Sequence, residues 1–210
     1  MPLDATPRVV RTVTIFTLSY LAVSSMVAYR IENWEFFIYV FVVLVTGLVV
    51  LYIHRFVPAS PAVFWMLSFW GFLHMFGGLV VLPDWMRVEN ERHVLYDLWI
   101  IYPYFKYDMI VHGLGFVGGT WACWEIIAPI IHTRRVRLVS VLIAILMANG
   151  LGVLNELIEF IAYLTLPITG VGGYVNTGWD LVCNLIGSLV GGSVAWKWGR
   201  SPTIRAQGPV

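Results

Sequence analysis

Eight polar side chains stand where a bilayer would make them expensive. His74, Asp108, His112, Asn155, Glu156, Glu159, Asp180 and Asn184 all fall inside apolar stretches. A charge at the centre of a membrane helix costs roughly 2.5–3.5 kcal/mol on the insertion scale, so such groups need partners, water or a task. Glu156 and Glu159 lie about one helical turn apart. Two carboxylates at that spacing repel unless a cation, a proton or a ligand compensates. With His74 and His112 they form a set of possible metal ligands that suits zinc, manganese or iron, which accept imidazole and carboxylate. No HExxH signature decides for a metal, and the same groups suit a proton relay. In either use Glu156, Glu159 and His112 are the candidate acid/base groups, and Asp108, Asp180 and Asn184 are placed to orient them from behind.

Each of these residues also has a plainer reading. Asp108 and Asp180 stand at the expected starts of helices, where a carboxylate caps orphan N–H groups. Asn184 can be a hydrogen-bonding link between helices, and His74 a hydrogen-bonded core residue. Glu125 falls near an inner helix end, where it can snorkel and serve structure. The loop histidines His54, His93 and His132 carry no signal, although His93-x3-Asp97 could cover the site.

The elements that must position these groups follow from composition. Of 210 residues, 59% are hydrophobic and 12% charged, with a mean hydropathy of +0.80. A soluble domain carries about 25% charged residues, so lipid is the expected solvent. A net charge of +1 with no basic stripe excludes a nucleic-acid partner. The two cysteines, Cys123 and Cys183, sit in apolar segments and offer neither a disulfide framework nor a CxxC pair. Ten Trp and ten Tyr exceed the needs of a core and fit interfacial belts.

A helix needs about 20 apolar residues to cross a bilayer. The chain therefore reads as all-α, a single polytopic membrane domain over 1–210 with about six transmembrane helices, at 12–29, 34–53, 62–82, 108–131, 138–166 and 179–198. The first also fits a signal peptide, with Arg8 and Arg11 before an apolar stretch and Ala22-Val23-Ser24-Ser25 after it. It is read here as a span. The fifth is long enough to bend at Gly150 and Gly152 or to tilt. Arg8, Arg11, Arg55, Arg134, Arg135, Arg137, Lys197, Arg200 and Arg205 fall on one side, against Arg30, Arg87, Arg92 and Lys106 on the other. That bias puts both termini in the cytoplasm. Residues 83–107 then form an outer loop rich in apolar and aromatic side chains, expected to be interfacial or re-entrant. The Gly-rich outer loop 167–178 either packs over the site or is a flexible turn.

Depth brings the polar residues together. At 1.5 Å per residue His112 and Asn184 lie about 6 Å inside the outer ends of their spans, Glu159 about 12 Å, His74 about 13 Å and Glu156 about 16 Å. Asp108, His112, Gly115 and Gly119 share a face, and Asp180, Asn184, Gly187 and Gly191 repeat that spacing. The match suggests that spans 3–4 and 5–6 are parallel repeated hairpins with a cavity between them, closed towards the cytoplasm by Gly-mediated packing.

Asp108-x3-His112, Glu156-x2-Glu159 and Asp180-x3-Asn184-x2-Gly187-x3-Gly191 resemble the pattern of the VanZ-like family of small bacterial membrane proteins. Gly172 to Gly178, just before Trp179-Asp180, resembles an uncharacterised inner-membrane branch of it. The resemblance spans roughly residues 74–192. It implies a multi-pass protein of the bacterial or archaeal cytoplasmic membrane linked to envelope biology, without fixing a reaction. The family's fifth span often carries Glu then Gln, whereas this chain has Glu156 and Glu159, and the extra charge favours a cation.

Three functions then compete. The first is binding or modification of an envelope lipid headgroup, with a divalent metal as possible cofactor and membrane lipid as partner. A phosphate there needs a bridging metal or the loop cations Lys106, Arg87 and Arg92, because the outer halves of the spans hold no Arg or Lys. The second is a proton-coupled carrier using the same carboxylates. The third is a structural subunit whose polar residues only lock helices together.

Overall fold

Six apolar runs separated by turn-forming residues become six helices long enough to cross a membrane. The computed structural model describes residues 5–86, 88, 93–128 and 137–198. The helices are α1 (Pro7–Arg30), α2 (Trp34–His54), α3 (Pro61–Leu79), α4 (Tyr107–Ile127), α5 (Arg137–Thr165) and α6 (Tyr174–Trp198). Their starts follow local chemistry. Thr6 and Ser60 accept the amides of Val9 and Val63 in front of Pro7 and Pro61, and Asn33 accepts that of Phe36. Side-chain caps with proline at the first helical position are the expected start signal.

The helices sort into two groups. α1 packs on α2 and α3 around Tyr20, Leu21, Phe36, Tyr39 and Met75. α4 packs most extensively on α6, α5 lies against both, and α3 meets α4 to join the groups. The first apolar segment is thus a packed member of the bundle.

Boundaries differ from expectation where backbone partners or packing override local propensity. α3 stops at Leu79, before the expected 82, because residues 80–82 run extended beside the outer loop. There Leu95 N donates to Val80 O and Leu82 N to His93 O. α4 is described to Ile127, and the expected inner end of that span lies outside the described residues. α6 begins at Tyr174, well before the expected 179, and carries Gly178 inside it. Glycine disfavours a helix by about 1 kcal/mol relative to alanine, which packing readily offsets. Asp180 therefore lies within the helix and caps nothing.

Among its described residues, the loop between α3 and α4 forms no re-entrant helix. A 3-10 turn at Leu95–Asp97 leads into a short antiparallel hairpin, β1 (Trp99–Ile101) with β2 (Phe105–Lys106). Ile100, Ile101, Tyr102 and Tyr104 are exposed around its tip, as an interfacial element requires. Glycine spacing in α4 and α6 matches, but the roles do not. A Cβ at Gly187 would strike the Gly113 carbonyl, and one at Gly191 would come within 2.6 Å of Val117 O, so both glycines admit α4 closely. Gly115 instead faces Trp70 of α3, and Gly119 faces open space.

Glu125 is buried near the C-terminal end of α4 and does not snorkel. Its carboxylate accepts Ser60 N at 2.7 Å and Trp121 Nε1 at 2.9 Å, placing a negative charge at the start of α3. Glu125→Ala is expected to remove about 2 kcal/mol of stability, in line with hydrogen bonds to a charged group. A lower thermal midpoint of the detergent-solubilised variant, with α-helix content kept, checks this.

Candidate functional site

The first two turns of α4 bring Asp108 and His112 to one face, and the close α4–α6 crossing sets Asn184 opposite. His112 Nδ1 lies 2.9 Å from Asn184 Oδ1, and its Nε2 lies 3.3 Å from Asp108 Oδ1. The imidazole is held at both ends. Gly152 of α5 makes room for this arrangement, since a Cβ there would sit 3.0 Å from Asn184 Nδ2.

A second chain of contacts runs beside the first. Lys106, buried where β2 meets α4, places Nζ 3.9 Å from Asp108 Oδ2 and 5.7 Å from the centre of the Trp99 ring. The same Nζ donates to Asn176 Oδ1, and Asn176 Nδ2 donates to Asp180 Oδ2 at 2.6 Å. α5 completes the site with Glu156 and Glu159, the latter accepting from Asn155 Nδ2 at 2.7 Å.

Two sets of possible ligand atoms result. Asp108, His112 and Asp180 offer atoms all within 4.8 Å of one another, and so do His112, Glu156 and Glu159. His112 is common to both. Asp180 Oδ1 and Glu156 Oε1 are buried without a hydrogen-bond partner, so acceptor capacity points inward unspent. Four carboxylates thus converge on one lysine and one imidazole, a donor set that fits a divalent cation.

His74 goes elsewhere. Its Nδ1 meets the Tyr96 hydroxyl and its ring stacks on Trp70 with centroids 5.8 Å apart. It lies outside both ligand sets but lines one small polar cavity with Tyr96, Asp108, Glu159, Gly170 and Asn176. Tyr96 comes from the outer loop. Burial, reinforced by the negative charge of Asp108, pushes its hydroxyl well above the usual phenol range, so it meets His74 as a neutral group. Asp97 lines the same cavity. Arg87 and Arg92 lie outside the described residues.

A family model described as a predicted membrane protein (DUF2238) matches residues 9–201. The chain belongs to that family. No curated protein and no solved structure matches it. The match supports the membrane class of the chain and runs from α1 through α6, so in this DUF2238 member the front helices belong to the family unit. The narrower VanZ-like resemblance is not what the match describes.

Several residues of the site escaped sequence reading. Glu35, in the first turn of α2, accepts Gly170 N at 2.6 Å and the Tyr39 hydroxyl at 3.2 Å. This draws the Gly-rich outer loop over the site. In sequence Glu35 looks like any acidic first-turn residue. Asn176 carries a better signal, because Asn176-x3-Asp180 brings a partner to an aspartate already singled out, while Lys106, expected as a loop cation for a phosphate, is instead engaged with Asp108 and Asn176.

Depths shift with the boundaries. Asn184 lies about 15 Å along α6, deeper than expected, and His74 about 8 Å from the end of α3, shallower than expected. Asn184 and His112 still meet because α6 begins about five residues further from their level than α4 does, whereas His74 is turned away to Tyr96. Lys106→Met would leave Asp108 beside Asp180 without its buried cation, and the expected cost is about 3 kcal/mol. Chemical or thermal unfolding of Lys106→Met beside the conservative Lys106→Arg would measure it.

Proposed function

We propose that this membrane protein holds a divalent metal ion at His112 and its surrounding carboxylates and uses it to bind or modify the polar headgroup of an envelope lipid. The observation that carries this reading is the sharing of His112 between two ligand sets, with Asp180 Oδ1 and Glu156 Oε1 buried and unpaired beside it. One imidazole among carboxylates is richer in oxygen than nitrogen, which favours manganese or iron over zinc. The proposed setting is the cytoplasmic membrane of a bacterium or archaeon, with both termini inside and the site in the outer half.

Lipid as the substrate class is supported by how the site opens. Glu156 and Glu159 are half-buried on α5, flanked by exposed Leu157, Phe160 and Ile161, so a headgroup can approach sideways from the bilayer. The exposed aromatic tip of the β1–β2 hairpin stands where headgroups lie. The VanZ-like spacing of the motif residues agrees with an envelope role.

A divalent ion supplies Lewis-acid polarisation of a phosphoryl oxygen and activation of water. The chain supplies the rest. Asp108 and Asn184 fix the plane of His112, Asn155 orients Glu159, and Glu156 keeps an unpaired oxygen with which to accept a proton. Elemental analysis of detergent-purified protein is expected to give about one transition-metal ion per chain, lost in the Glu156→Gln, Glu159→Gln double variant. Occupancy should also fall as pH falls, because protons compete for carboxylate and imidazole. Metal-free wild type that takes up no added manganese or iron would reject the reading.

A second reading, a proton-coupled carrier, is favoured by unpaired polar atoms that continue below His112. It predicts no bound metal and an activity that collapses with the proton gradient.

A further inference from the structure

α1 and α3 cross the membrane in the same direction and leave an open groove between their second halves. Its volume is about 450 Å³, within the range of sites that take a small molecule. Val23 of α1 and Phe76 of α3 stand exposed at its edges, while Tyr20, Ser24 and Met75 are buried along its bed. Lipid tails meet every apolar gap on a membrane helix. Two features of this groove select one kind of lipid.

Length is the first. On α1 the lining runs from Phe16 to Val27, about 16 Å of helix. One leaflet of a hydrocarbon core about 30 Å thick is about 15 Å deep. The deep end is blocked by rings. Phe16, Tyr20 and Phe72 pack with centroids 5.5–6.0 Å apart, and Trp65 lies 5.8 Å from Phe16. The other end reaches Leu79 and Val80, where α3 stops and the chain turns into the outer loop. The groove is therefore one leaflet long, blind at mid-membrane and open at the face that carries the polar site.

Charge is the second. Phe16, Ser19, Val23 and Val27 form the stripe of α1 that faces the groove, and Arg30 continues it. At 100° per residue Arg30 returns to within about 40° of the Phe16 direction. It is exposed in the last turn of α1, and no ion pair holds it among the described residues. Lys106, by contrast, is buried against Asp108 and Asn176. A cation also suits a helix C-terminus, but that role leaves its outward donors open. A guanidinium at headgroup level, directly above an apolar groove one leaflet deep, complements a phosphate joined to an acyl chain.

We propose that the α1–α3 groove binds one glycerophospholipid of that leaflet, with an acyl chain lying from Val27 down to Phe16 and the phosphate held by Arg30. This is a second lipid site, apart from the His112 centre. Among the described residues, none from either ligand set lines the groove. The bound chain covers apolar surface that the two helices leave open and so holds α1 against α3. The inference stands whether or not the His112 centre acts on a lipid.

Native mass spectrometry of the full chain, delipidated in detergent and titrated with dioleoyl phosphatidylglycerol, tests this. Wild type is expected to form a one-to-one adduct. Dioleoylglycerol, with the same chains and no phosphate, should bind about tenfold more weakly. Arg30→Gln should weaken phosphatidylglycerol binding by about tenfold and Arg30→Lys by less. Val23→Trp, which fills the groove, should abolish the adduct. Arg30 is exposed at a helix end, so its variants decide the matter even if Val23→Trp does not fold. Arg30→Gln binding the lipid as wild type does would overturn the proposal, and so would equal affinity for dioleoylglycerol. A two-chain mass in place of the adduct would put a second copy in the groove and overturn it as well. The Glu156→Gln, Glu159→Gln variant should keep the adduct while its metal content falls. Loss of the adduct in that variant would place the lipid at the His112 centre instead and sink the second site alone. An adduct retained by protein that takes up no metal would sink the metal reading alone.

Discussion

The structure depends on one buried imidazole held between two helices. His112 joins Asp108 on its own helix to Asn184 across the α4–α6 crossing, and the glycines beneath let the backbones approach closely enough for that reach. A bilayer gives helices no hydrophobic reason to associate, so close packing and interhelical hydrogen bonds must supply specificity. Here both act on the same pair of helices. The height at which His112 meets Asn184 sets the height of Asp180, and Asp180 in turn fixes Asn176 and Lys106. Carboxylates from α5 then have a defined partner to face.

The same arrangement explains why acidic groups can be tolerated in number. Asp108, Glu156, Glu159 and Asp180 crowd four carboxyl groups around a single lysine and a single imidazole in a low-dielectric medium. An ion pair alone repays little of the desolvation cost of its members. The cost of gathering these groups must be offset by the packing of the apolar faces that surround them.

Much of this was legible in the sequence, and the reasons differ by feature. Six spans followed from hydropathy because a bilayer makes every crossing helix satisfy its own backbone. The motif residues Asp108, His112, Glu156, Glu159, Asp180 and Asn184 could be picked out because polar groups in apolar runs are conspicuous, and the structure gathers them. Glu35 and Tyr96 were not legible. Both lie where polar residues are commonplace, at a helix start and in a loop, and only tertiary placement brings them inward. The start of α6 was misjudged because a run of glycines reads as a turn until packing is known. His74 belonged by depth with His112 but is turned towards Tyr96, and depth carries no information about azimuth between different helices.

The bond from Glu35 to the Gly170 amide ties the start of α2 to the Gly-rich loop, and both line the polar cavity beside His74. Glu35 stands on α2, among helices that contribute no ligand to the α4–α6 centre, while Gly170 belongs to the strap that closes over that centre. The strap is therefore moored to the far bank. Sideways displacement of α2 must either stretch that mooring or drag the strap along, so the roof of the site registers the separation of the two halves of the molecule.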